Sequence, residues 1–197
     1  MNRRERLSER LRDALLRPAA APLIAGDADE AHPLEPRAAA VLIPVVDRPE
    51  PGVILTVRQT EMRTHAGQTA FPGGRIDPGE DAGAAALREA WEELHLDPAS
   101  VEVIGPMEPY RTVTGYLVTP VLGVIPPDLE LTPHDREVAD WFEAPLAHLL
   151  DPANHLRKSA VFAGERRDYY EIEWSGRMIW GATAAMIVNL SRRLQWS

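Results

Sequence analysis

A sheet with helices on both sides, an α/β or α+β sandwich, is the architecture this chain predicts, on three observations. Two apolar, strand-like runs, Ala38 to Val46 and Gly52 to Arg58, are separated by a turn-rich stretch from Asp47 to Pro51. Ala82 to Leu94 is dense in strong helix formers and holds no proline, which predicts a helix. Strand-like and helix-like segments then alternate in mixed order to the end of the chain, a pattern that suits a layered fold.

The opening MNRRERLSERLRDALL interleaves arginine with Glu5, Glu9 and Asp13 and lacks an apolar signal core. It predicts an amphipathic helix with i,i+4 charge pairs, packed on the core or in a dimer. Gly26 to Arg37, polar and bracketed by Pro33 and Pro36, predicts a linker. Residues 1–32 are therefore expected to form a helix and linker, and residues 33–197 the main domain. Thr69 to Phe71 predicts a short third strand, and Val101 to Ile104 and Thr114 to Ile125 predict strands after the helix. Asp135 to Phe142 predicts another strand and Pro145 to Leu150 a short helix. Tyr169 to Trp174 and Arg177 to Trp180 predict a hairpin around Ser175-Gly176, before a closing helix from Ala182 to Leu194.

Composition narrows the functional classes. A chain of 197 residues can bury one sizeable core. Its net charge of -9 argues against a broad nucleic-acid footprint, which needs a basic face. With no cysteine there is no disulfide or thiolate metal site. The longest apolar run is too short to span a bilayer and is broken by Pro44. A soluble, cytoplasmic protein without membrane or nucleic-acid partners is expected.

Chemistry concentrates between Gly74 and Leu96. Gly74, Glu80, Arg88, Glu89, Glu92 and Glu93 follow the spacing G, five residues, E, seven residues, REAxEE. At about 100° per residue Leu87, Ala90, Trp91 and Leu94 are expected on a packing face and Glu89, Glu92 and Glu93 on the opposite one. Three carboxylates on adjacent turns repel one another unless a hard cation such as Mg²⁺ or Mn²⁺ binds them, and such ions are commonly shared with substrate phosphates. His95 stands where the helix should end and tolerates the left-handed conformation such an end requires. A second block runs into the first: Leu55-Thr-Val-Arg58, then Arg63-Thr-His65-Ala-Gly67-Gln68, then Phe71-Pro72-Gly73-Gly74. Arg58, Arg63 and His65 suit a ligand carrying several phosphates.

The first constellation resembles the Nudix box of the Nudix hydrolases, departing from it at His95, where that family usually has glycine. The upstream block resembles the extra motif of their coenzyme A pyrophosphatase branch. The resemblance implies an α/β/α sandwich with a mixed sheet over residues 33–197, and a small nucleotide substrate of the coenzyme A type. It implies metal-dependent hydrolysis of a pyrophosphate bond of coenzyme A or acyl-CoA, with Mg²⁺ or Mn²⁺ held by Glu89, Glu92 and Glu93. Glu92, Glu93 and Glu137 are the acids implied for catalysis, Glu137 resembling the acidic residue that many Nudix enzymes place opposite the box. Arg58, Arg63, His65, Gln68, Gly73 and Gly74 would contact substrate, with Glu80 and Arg88 supporting the carboxylates. A homodimer is compatible with the family. Nudix hydrolysis of ADP-ribose or another nucleoside diphosphate derivative, and a non-catalytic nucleotide sensor, are the competing readings.

Overall fold

The computed structural model describes residues 3–27, 35–59, 67–162 and 165–195. In chain order the elements are α1 (Arg3–Leu16), β1 (Arg37–Val46), β2 (Gly52–Arg58), β3 (Thr69–Ala70), β4 (Gly73–Arg75), α2 (Ala82–Leu94), β5 (Glu102–Pro106), β6 (Tyr110–Arg111), β7 (Tyr116–Ile125), β8 (Val138–Pro145), α3 (Leu146–Leu150), β9 (Leu156–Phe162), β10 (Glu165–Trp174), β11 (Arg177–Trp180) and α4 (Gly181–Leu194). Eight strands form a mixed sheet in the order β3-β2-β1-β7-β5, with β4 added to β1, β6 to β7 and β8 to β2. β1 and β7 run parallel, from Arg37 opposite Tyr116 to Val46 opposite Ile125. The other pairings in this sheet are antiparallel. β9, β10 and β11 make a smaller antiparallel sheet.

The two-residue period of a strand sorts the core into two layers. Ala39, Ile43 and Val45 of β1 enter one cluster with Leu7 and Leu11 of α1, Ile172 and Ile179 of the small sheet, and Ile187 and Leu190 of α4. Ala40, Leu42 and Val46 enter the other, against Ala85, Ala86, Ala90 and Leu94 of α2. The result is an α/β sandwich with helices on both faces of a mixed sheet, as expected. Among the described residues no helix is long and apolar enough to cross a membrane.

One irregularity of the sheet brings residues 67–75 against α2. β1 and β2 pair only next to their connecting turn, Val45 opposite Val53 and Val46 opposite Gly52. Beyond that they part, and residues 67–75 fill the gap. Thr69 and Ala70 pair with Val57 and Thr56 of β2, and Gly73 to Arg75 pair with Val41 to Ala39 of β1. The Leu42 N–H donates to the Pro72 carbonyl (2.9 Å), and the Phe71 side chain is buried in the first cluster. Glycine is required at the crossing, because a Cβ on Gly73 would lie 2.4 Å from the Ala40 carbonyl oxygen.

Several elements depart from the sequence expectation for identifiable reasons. β4 and β6 hold three and two residues, too few to show a period. β9 is an edge strand with the polar run Arg157-Lys-Ser near its start, a composition that blunts edges and hides the pattern. The strand expected at Asp135 begins at Val138, because the N–H groups of Glu137 and Val138 turn back onto the His134 carbonyl. It then runs on to Pro145, pairing with Gly52. Part of the expected linker lies outside the described residues. Its first two residues are fixed: Gly26 bridges to Arg111, and the Tyr110 hydroxyl donates to the Asp27 carboxylate.

Candidate active site at the sheet-facing side of α2

The helix begins where the Asp81 carboxylate accepts from the Ala84 N–H (2.8 Å), a cap worth about 1 kcal/mol. It ends at His95, which adopts the left-handed conformation (φ 53°) and donates its N–H to the Trp91 carbonyl (2.8 Å). The His95 ring meets the Thr132 carbonyl through Nδ1 (3.0 Å) and packs edge-on against Trp91. The departure from glycine is thus absorbed without breaking the cap.

The faces of the helix differ from the expected ones. Trp91, assigned to the packing face, is 48 % exposed, whereas Glu93, assigned to the opposite face, is 3 % exposed. The buried stripe runs through Ala85, Ala86, Ala90, Glu93 and Leu94. Residues 86, 90 and 93 follow the i, i+4, i+7 spacing of one face, so burying the small alanines against the sheet takes Glu93 in with them. Glu89, one turn before Glu93, is partly buried, while Glu92 is exposed.

This arrangement strains the carboxylates electrostatically. Burial pushes the Glu93 carboxyl up to about 8; Arg58 opposes the shift, Glu89 and Glu137 add to it, and the Gly73 N–H opposes it. The opposing contacts are weak: Arg58 Nη1 stands 3.9 Å from Glu93, and the Gly73 N–H donates to it at 3.3 Å. Glu89 is also raised, first by burial, against the Arg88 hydrogen bond and with Glu92 and Glu137 adding to the rise. The Glu89 carboxylate lies against Gly74, where a Cβ would come within 2.4 Å of it.

Arg88 organises the acids around it. Its guanidinium donates to Glu80 from Nε (2.8 Å) and Nη2 (3.0 Å), to Glu89 (2.8 Å) and Glu92 (3.3 Å) from Nη1, and to the Arg75 carbonyl (2.9 Å). Glu80 is held below the usual carboxylate range first by Arg88 and then by the Asp77 N–H. The spacing of the box is therefore one ion-pair cluster joining loop, strand and helix. Among the described residues no three His, Asp or Glu side chains are gathered to ligate an ion together, and Arg88 pairs with both Glu89 and Glu92. The donor set still suits a hard divalent cation: Glu93 is buried and Glu89 partly buried, both offer carboxylate oxygens, and both are raised first by burial and then by neighbouring carboxylates, Glu89 and Glu137 for Glu93 and Glu92 and Glu137 for Glu89.

Gln68 sits beside this cluster, its carbonyl accepting the Arg58 N–H (3.0 Å), with Gly67 closing the turn at φ 69°. Arg63 and His65 lie outside the described residues. Glu137 sits in an exposed turn across from α2. Sequence reasoning did not single out Gln59, which fixes that turn. The Gln59 N–H donates to the Glu137 carbonyl (3.0 Å) and its side-chain amide to the Asp135 carbonyl (2.8 Å), while the His134 N–H donates to the carbonyl of Glu93 (2.9 Å). Nothing local in the sequence marks Gln59, because its partners lie more than 70 residues away.

Comparison with known proteins places this geometry. The model of the NUDIX domain matches residues 36–163. The chain belongs to the Nudix family. Its relatives include a Shigella flexneri protein named "Uncharacterized Nudix hydrolase NudL", 46 % identical over 165 residues that cover 83 % of this chain and 85 % of the relative. The Escherichia coli K12 protein of the same name is 45 % identical over 162 residues, covering 82 % and 84 %. Among solved structures, the Nudix hydrolase RenU from M. smegmatis shares the fold with a TM-score of 0.50 and 24 % identity, over 57 % of this chain and 72 % of that one. As a Nudix hydrolase the chain falls in the class of pyrophosphohydrolases that act on nucleotide-derived small molecules, typically with a divalent metal.

Proposed function

We propose that this Nudix hydrolase cleaves the pyrophosphate bond of coenzyme A or acyl-CoA, releasing 3′,5′-ADP and (acyl-)4′-phosphopantetheine. The observation that carries the reading is the physical continuity of the two sequence blocks. Residues 67–75, the part of the upstream block that fills the gap between β1 and β2, deliver the Gly73 N–H to Glu93 and bring Gly74 against Glu89. Arg58, from the start of the same block, faces Glu93.

Glu89 and Glu93, with Glu92 at the rim, would hold Mg²⁺ or Mn²⁺. A bound divalent ion supplies charge neutralisation on the pyrophosphate oxygens and acidifies water. The remaining roles belong to the chain itself. Arg88 orients Glu89 and Glu92 and ties Glu80 to the loop. Arg58 and Gln68 border the carboxylate cluster on the β2 side, with Gly73 and Gly74 on the β1 side, where backbone can approach phosphate closely. Glu92, Glu93 and Glu137 are the candidates for receiving the proton of the attacking water, and Arg63 and His65 complete the proposed substrate contacts. Residues 33–197 make up the catalytic domain, with α1 contributing to its core.

The test is a turnover panel with purified protein and Mg²⁺ or Mn²⁺, comparing coenzyme A, acetyl-CoA, ADP-ribose, NADH and a nucleoside triphosphate by chromatography. Release of 3′,5′-ADP from coenzyme A in preference to all other cleavages is expected. Preferential cleavage of ADP-ribose or a dinucleotide would transfer the site to another Nudix substrate, and no cleavage would favour a nucleotide sensor.

A further inference from the structure

We infer that Arg75 and Arg37, with Tyr116, form an anion subsite on the face of the sheet opposite α2, and that it takes a phosphomonoester of the substrate separate from the pyrophosphate. The identity of that ligand rests on the coenzyme A reading; the subsite itself rests on where β1 and β4 place the two arginines.

Gly74 presents its α-carbon to the Glu89 carboxylate, on the α2 side of the sheet. Successive strand residues point to opposite faces, so Arg75 leaves β4 on the other side, one residue from the carboxylate cluster. Arg75 pairs with Ala39 of β1, and Arg37 lies two residues along β1 from Ala39, on the same face. Such diagonal neighbours stand about 7–8 Å apart at the backbone, within reach of two long side chains that converge on one ligand.

The environment of the two guanidinium groups is unusual for this chain, whose acids outnumber its bases (net charge -9). The Arg37 guanidinium stacks over the Tyr116 ring at 4.1 Å and, among the described residues, otherwise donates only to the Thr114 carbonyl (3.3 Å). Stacking of this kind fixes the guanidinium plane while leaving in-plane N–H groups for a ligand. Among the described residues the Arg75 guanidinium has neither a hydrogen bond nor an ion pair, although the backbone beneath it is locked by Arg88 donating to its carbonyl (2.9 Å). No carboxylate of the described residues pairs with either arginine. Both are exposed. Elsewhere arginines of α1 and of the turn between β1 and β2 find acids: Arg3 pairs with Asp47, Arg12 with Glu102 and Arg48 with Glu143.

The chemistry of the ligand follows from the division of labour across the sheet. On the α2 side acids predominate, and a pyrophosphate there requires cations to neutralise it. On the opposite side two positive forks stand without acids, which suits a dianion bound directly by protein. A phosphomonoester on a nucleoside has that charge and the oxygen geometry for two forks. Tyr116 adds an aromatic surface beside it.

The experiment is calorimetric titration of 3′,5′-ADP and of 5′-ADP into the full chain in EDTA, using wild type, Arg37→Gln, Arg75→Gln and Arg75→Lys. Wild type should bind 3′,5′-ADP more tightly than 5′-ADP. Each Gln substitution should erode that preference by about tenfold, as expected for loss of one charge-assisted contact. Arg75→Lys should retain part of it, since charge survives but the fork does not. 5′-ADP binding should change little in any variant. A wild-type protein with no preference for the additional phosphate, or variants that keep the full preference, would overturn the subsite. Because binding is read without turnover, this result stays separate from the substrate panel: absence of coenzyme A cleavage with an intact, Arg-dependent preference would reject the reaction and keep the subsite.

Discussion

Two helices of similar length, α2 and α4, cover opposite sides of the sheet, and each buries a side chain that needs hydrogen bonds. In α4 it is Asn189, whose carbonyl accepts the Ile24 N–H (2.8 Å) and whose amide donates to the Ile24 carbonyl (2.9 Å). In α2 it is Glu93, with one 3.3 Å contact from Gly73 and a guanidinium at 3.9 Å. The Asn189 arrangement closes on itself and ties the segment before β1 to the last helix. That of Glu93 leaves a buried carboxylate short of partners, a cost that a structural position would not retain and a cation would relieve. Burial alone does not separate Asn189 from Glu93; completeness of pairing does.

That contrast breaks most sharply at Glu93. In Glu93→Gln, metal-dependent turnover should fall by about 10²- to 10⁴-fold, the range for losing a group central to proton or charge handling. Unfolding measured in EDTA should show the variant at least as stable as wild type near pH 8, since it no longer buries a charge. A variant with full turnover would remove Glu93 from the site.

Asn189→Ala should do the reverse. It strands the N–H and carbonyl of Ile24 and should cost about 2–4 kcal/mol in denaturant unfolding, from two lost bonds in a buried setting. Its kcat and KM should match wild type. Gln59→Ala probes the boundary between the two behaviours, because Gln59 is well paired yet holds the Glu137 turn. We expect kcat to drop by about tenfold or somewhat more with little change in KM, as when outer partners of a metal site are removed. Unfolding should change by only about 1 kcal/mol.

The gentlest probe is pH. Glu93 has a folded pKa near 8, above the ordinary carboxylate value it takes when unfolded. The folded state therefore binds the proton more tightly, and the stabilisation is complete below the unfolded value and lost as pH rises through about 8. In EDTA, wild-type stability should decline over that window and the decline should flatten in Glu93→Gln. Saturating Mg²⁺ should oppose the decline in wild type only, because an ion that binds the folded state stabilises it by mass action.

How much of this was legible before folding depends on how far apart the cooperating residues lie. The box helix, its end at His95 and the run of alternating strands follow from local composition and period, and β1, β2, β7 and α4 stand close to where the sequence puts them. The Nudix family was legible too, because its spacing is a local pattern. What failed was the assignment of faces on α2: an ideal helical projection ranks residues by hydrophobicity and sent Trp91 inward and Glu93 outward. The sheet packs on alanines instead, since Ala85, Ala86 and Ala90 permit close approach, and that choice carried Glu93 inside.

By itself, then, the sequence determined the secondary structure of the main elements, the family and the acidic character of the site, because each is encoded within a few turns or strands of chain. Only the tertiary structure decided which carboxylate is buried, that residues 67–75 cross between parted strands, that Gln59 clamps the Glu137 turn, and that Arg37 and Arg75 share a face. Those outcomes depend on strand pairing and on contacts between residues distant in the chain, where no local preference reaches.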